Sequence, residues 1–106
     1  MIYLGNAFSL QMLEQGLTHC VRIEPVSVDV VRSARWHSIV GHQVCALALT
    51  NIIGKWVTYN RESIKLKPND TLYVAQIVTG RLPENMAELP EGTKIEFFKV
   101  EILARI

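Results

Sequence analysis

The sequence predicts an α/β fold: one small mixed β-sheet flanked by helices, in a single domain over residues 1–106. Three observations carry that expectation. TLYVAQIV at 71–78 and KIEFFKVEIL at 94–103 combine β-branched and aromatic residues with strand alternation. WHSIVGHQVCALALTNIIG at 36–54 places Ile39, Val40, Val44, Leu47, Ala48, Ile52 and Ile53 at the mixed three- and four-residue spacings of a largely covered helix. Strand and helix signals intermix without a regular strand–helix–strand repeat, which favours a mixed sheet.

The apolar start at 2–4 reads as a first strand, and Gly5-Asn6 turns the chain. Ser9 caps a short helix to about Gln15, with Leu10 and Leu13 inward and Gly16 ending it. Residues 19–23 form a second strand, closed by Pro25. Ser27 caps a helix over 28–35, with Val28 and Val31 inward and Arg32 and Arg35 on a solvated face. In the central helix Ser38 is the expected N-cap, His42 falls in the first turn, and Gly54 ends the helix in a left-handed conformation. Residues 55–60 are irregular or a short strand, and 63–66 resemble a strand. Pro68-Asn69-Asp70 is a turn. In 71–78, Leu72, Val74, Gln76 and Val78 share one face and Tyr73, Ala75 and Ile77 the other. A loop with one helical turn near 85–89 leads to the last strand.

The composition is that of a globular chain, with 49% hydrophobic and 20% charged residues. A net charge of +1 argues against a broad basic surface for DNA, while leaving room for a small anion held by a few arginines. No run reaches the roughly 18 apolar residues of a membrane span, and the first residues lack the pattern of a signal peptide, so a cytoplasmic protein is expected. Cys20 and Cys45 read as buried reduced thiols. Their spacing to His19 and His42 makes a poor metal site.

Some polar residues stand out against this pattern: Asn6, Ser9, Gln11, His42, Arg61, Gln76, Arg81 and Glu84, most of them at element ends or in loops. Each has a plain reading beside a functional one. His42 is either a hydrogen-bonded histidine without chemistry or a group beside a phosphate-binding helix start. Gly41 beside it costs about 1 kcal/mol inside a helix, which close approach of a ligand or backbone would justify. Asn6 is a turn residue or a ligand contact, Ser9 a cap or an anion contact, and Gln76 a sheet amide or a base contact.

YLGNAFSLQML at 3–13, SIVGH at 38–42, YNRESIKL at 59–66, DTLYVAQIVTGRLPE at 70–84 and IEFFKVEI at 95–102 together resemble the small viral and mobile-element ring nucleases that act as type III anti-CRISPR proteins. The resemblance covers nearly the whole chain in order. It implies a homodimer, without a metal or other cofactor, that binds cyclic tetra-adenylate across its interface and cleaves it, silencing the CRISPR signal in the host cytoplasm. It implies His42, Arg81 and Glu84 as catalytic residues, with Asn6, Ser9, Gln11, Arg61 and Gln76 as ligand contacts. Two departures stand out: IVTG at 77–80 looks one residue longer than in some relatives, and Gln43-Val44 replaces serines that some of them carry.

The chemistry implied is attack of a ribose 2′-OH on the adjacent phosphorus, giving linear di-adenylate with a 2′,3′-cyclic phosphate and a 5′-hydroxyl. In-line positioning supplies much of such a rate, and a histidine acid adds typically about 10² to 10⁴. Two other classes compete. One is a module that sequesters a cyclic oligonucleotide without cutting it. The other is a DNA-binding protein using Arg32 and Arg35, against which the low net charge counts.

Overall fold

The computed structural model describes residues 1–78 and 93–106. Strands β1 (Ile2–Gly5), β2 (His19–Val26), β3 (His37–Ser38), β4 (Thr71–Ile77) and β5 (Ile95–Arg105) form a five-stranded sheet in the order β2-β5-β4-β1-β3. β1 runs parallel to both β3 and β4, whereas β5 is antiparallel to β4 and β2. The sheet is therefore mixed, with a parallel half and an antiparallel half.

Period-two alternation decides which residues face which layer. Leu4, Tyr73, Ala75 and Phe97 pack against α1 (Val28–Ser33) and α2 (Gln43–Ile53), which contribute Val31, Cys45, Ala46, Leu49 and Ile53. Leu72, Val74, Val100 and Ile102 lie on the other face. There the covering groups are Phe8, Met12 and Leu13 from the segment around one 3-10 turn (Leu10–Met12), together with Ile64 and Leu66. Ser9 does cap this turn, but the expected helix to Gln15 stops after Met12, and Leu10 is 76% exposed instead of inward.

The central segment differs most from expectation. Residues 37–38 are a strand paired to β1, and Val40 bridges Tyr59 in parallel. The helix starts at Gln43, so Ser38 is not its cap and Gly41 lies outside it. Ser38 donates its hydroxyl to Thr58 O at 2.6 Å. Gly54 closes α2 with φ 79°, as its position predicted. Pro25 does not end β2, which continues to Val26. β2 is the sheet edge, where proline is tolerated because one side of the strand needs no ladder donor. Cys20 is exposed and only Cys45 is buried; both are free thiols. Arg32 is not part of a bare solvated face: its Nε donates to Ile53 O at 2.7 Å and it pairs with Asp29, tying α1 to the end of α2.

Candidate functional site

In open α/β sheets, ligands bind beyond the carboxyl ends of parallel strands. Here that end gathers the residues after β1 and β3. Asn6 follows β1 directly, and its Oδ1 accepts the Gly41 N–H at 3.2 Å, joining the exits of the two strands. His42 follows, with φ −134° and ψ 120°, and is the N-cap of α2. Its Nδ1 takes the place usually held by a Ser or Asp oxygen, accepting a weak 3.4 Å bond from Cys45 N–H. An Nδ1 that accepts leaves the proton of the neutral ring on Nε2. That Nε2 is buried and has no hydrogen-bond partner among the described residues.

Arg61 reaches the same place from the chain after α2. Its stem lies against Gly41, where an added Cβ would come 3.2 Å from Arg61 Cγ. Gly41, His42, Gln43, Tyr59 and Arg61 line a cleft of about 120 Å³. That is smaller than the roughly 300–1,000 Å³ of typical small-molecule pockets, so one chain offers room for a charged group and not for a whole oligonucleotide ring.

A second groove, of about 430 Å³, is lined by Ser9, Gln11, Met12 and residues 62–65. Ser9 Oγ accepts Gln11 N–H at 3.2 Å, and Lys65 Nζ donates to Gln11 O at 2.6 Å. The cleft and the groove are lined by chain neighbours, Arg61 in the cleft and Glu62 in the groove. The structure thus brings His42, Asn6 and Arg61 together, with Ser9 and Gln11 in the second groove. Gln76 is exposed near the carboxyl end of β4 and donates to Ile77 O at 3.3 Å. It lines a separate groove with Phe8, Ile23, Val74, Phe98 and Val100, so it does not share the His42 cleft. Arg81 and Glu84 lie outside the described residues.

Sequence reasoning missed Tyr59 and Gln43 as lining residues and the group His37, Asn60 and Glu62. His37 Nε2 lies 3.0 Å from Glu62 Oε1, and Asn60 Nδ2 donates to Glu62 Oε1 at 3.0 Å and to Ser38 O at 2.8 Å. The hydrogen bond from His37, then that from Asn60, holds the Glu62 carboxyl below the usual glutamate range. The only local signal was that Asn60 and Glu62 flank Arg61.

Among the described residues no helix is long and apolar enough to cross a membrane. No curated protein matches the sequence. The fold is similar to that of B116 of Sulfolobus turreted icosahedral virus (STIV), with a TM-score of 0.72 over 94% of this chain and 97% of that one. The two are 20% identical in sequence, so the likeness is one of fold. The sequence itself is more specific: the family model described as STIV B116-like matches residues 2–99, a span running from the start of β1 well into β5 and including every residue of the cleft. By that match the chain belongs to the STIV B116-like family.

Proposed function

We propose that this protein is a metal-independent ring nuclease: two copies bind cyclic tetra-adenylate between them, and each His42 serves one phosphodiester. The observation that carries the reading is the His42 cap. A backbone N–H fixes the ring through Nδ1, so its proton sits on Nε2, with Arg61 lining the same cleft. In the reaction a 2′-hydroxyl loses its proton to solvent and its oxygen bonds to phosphorus, the bond from phosphorus to the 5′-oxygen breaks, and the departing oxygen takes a proton. His42, once its ring carries a second proton and releases the weak Cys45 cap, donates that proton from Nε2 and is left neutral. Arg61 offsets charge on the phosphate through its forked N–H groups. Asn6, Ser9, Gln11 and Gln76 contact ribose, phosphate or adenine, and Arg81 and Glu84 keep the catalytic parts implied by the resemblance.

The small cleft favours a dimer, because a twofold axis presents two such clefts to opposite phosphates of one ring. The biological role that follows is loss of the cyclic messenger in the host cytoplasm and silencing of type III CRISPR defence. Burial of His42 Nε2 favours a second reading, a sequestering protein that binds the ring and leaves it intact.

The test is a single-turnover incubation with labelled cyclic tetra-adenylate in excess EDTA, beside His42→Ala. Conversion to a cyclic-phosphate-ended dinucleotide, slowed at least about 10² in the variant, supports the nuclease. Tight binding of an intact ring supports sequestration. Neither binding nor cleavage sinks both.

A further inference from the structure

Arg61 is held from both sides by residues that reach the same short edge strand. Before it, Asn60 N–H donates to Val40 O at 2.9 Å and the Asn60 amide reaches Ser38 O. After it, Glu62 meets His37 of β3. The two amide hydrogens of Asn60 are used on Ser38 O and Glu62 Oε1. An ionised carboxylate has no proton to give, so His37 Nε2 is the donor to Glu62 Oε1. One carboxylate oxygen therefore receives both neighbours. The His37 ring also packs against Tyr3 in a T-shaped pair, with centroids 6.1 Å apart at 74°.

Side-chain and single backbone bonds, such as Leu66 N–H to Met12 O at 2.7 Å, hold this part of the chain in place of a strand ladder. Of residues 54–70, only Tyr59 takes part in a β-bridge, and that to Val40. A carboxylate lining the groove beside the cleft would also repel an anionic ligand unless its charge were engaged.

We propose that Glu62, with Asn60 and His37, is a positioning clasp that sets Arg61 across Gly41 and so gives the cleft its affinity for a phosphodiester. Glu62 acts through Arg61 and does not itself touch the ligand. The inference rests on the ligand-binding reading of Arg61, and its test separates the two.

The experiment measures binding of labelled cyclic tetra-adenylate to wild type, Glu62→Ala, Glu62→Gln, Arg61→Ala and the Arg61→Ala/Glu62→Ala double variant. Amide hydrogen exchange at Asn60 is followed in each free protein. The clasp predicts that Glu62→Ala binds about tenfold more weakly than wild type. It predicts that the double variant is no weaker than Arg61→Ala to within about twofold, since contacting residues couple. Glu62→Gln keeps an oxygen for Asn60 and His37 and stays within about threefold of wild type. Exchange at the Asn60 amide quickens at least about tenfold in Glu62→Ala. Additive losses, unchanged or tighter binding in Glu62→Ala, or failure of Gln to rescue overturns it. If wild type does not bind the ring, the functional reading fails, and exchange decides the clasp alone: faster exchange at Asn60 in Glu62→Ala upholds it, and unchanged exchange overturns it.

Discussion

The carbon stem of Arg61 rests on the bare backbone of Gly41, with Arg61 Cγ 3.2 Å and Arg61 Cβ 3.6 Å from where a Gly41 side chain would begin. Gly41 also donates its N–H to Asn6. One residue without a side chain thus joins the exit of β1 to the arginine of the cleft. This is the close approach that a glycine permits and any larger residue obstructs.

Gly41→Ala tests that relationship. Its φ is not positive, so alanine adds little backbone strain, and the new methyl must displace the Arg61 stem by a few tenths of an ångström. The expected result is a loss of about tenfold in affinity for a phosphodiester ligand, with stability within about 1 kcal/mol of wild type. Paired calorimetric binding and denaturant melts check both. Unchanged affinity would show that the stem has room to shift.

His42 combines a cap with a chemical group, and two substitutions separate them. Asparagine can accept the Cys45 N–H through its side-chain oxygen, whereas alanine cannot. His42→Asn is expected to unfold within about 0.5 kcal/mol of wild type, and His42→Ala to lose about 1 kcal/mol. Both lose cleavage by at least about 10² if the ring is the proton donor. A fully active His42→Asn would remove the ring from the chemistry.

The same region shows where sequence reasoning stops. The cap at Ser9, the left-handed Gly54, the Pro68-Asn69-Asp70 turn with Asn69 at φ 80°, and the alternation in β4 were legible because each is set by neighbours in the chain. Residues 37–40 were not. Ile39 and Val40 fit a helix or a strand equally, and parallel pairing of this segment with β1, distant in sequence, decides between them. Pro25 misled for a related reason: whether a strand lies at an edge is a property of the whole sheet. At the site, His42 and Arg61 were visible as residues. The Asn6–Gly41 bond and the His37–Glu62 pair were not, because both join segments far apart in the chain.

Glu62 makes stability depend on pH in a stated direction. Its carboxyl in the folded protein lies below the usual glutamate range, because His37 and then Asn60 hydrogen-bond the ionised form. A depressed value means that its contribution is complete above the usual glutamate range. It is lost as pH falls through the lowered folded value. Wild type should therefore melt above Glu62→Gln at pH 7, with the gap closing as the pH falls through the lowered folded value. A gap that stays constant across that range would mean that the charge of Glu62 contributes nothing to the fold.

The two thiols should differ sharply in reactivity. Cys45 is buried in the first turn of α2, and burial pushes its thiol up, so little thiolate is available and reagents have poor access. Cys20 is exposed on β2, the edge strand. Iodoacetamide at pH 8 followed by peptide mass spectrometry should label Cys20 at least about tenfold faster than Cys45 in the folded protein. In denaturant the two rates should converge. Because Cys45 N–H is the donor in the His42 cap, ligand at the cleft should slow the labelling of Cys45 further while leaving Cys20 unchanged. Equal rates in the folded protein would place the start of α2 in exchange with an open form, and the His42 ring could not then be fixed as described.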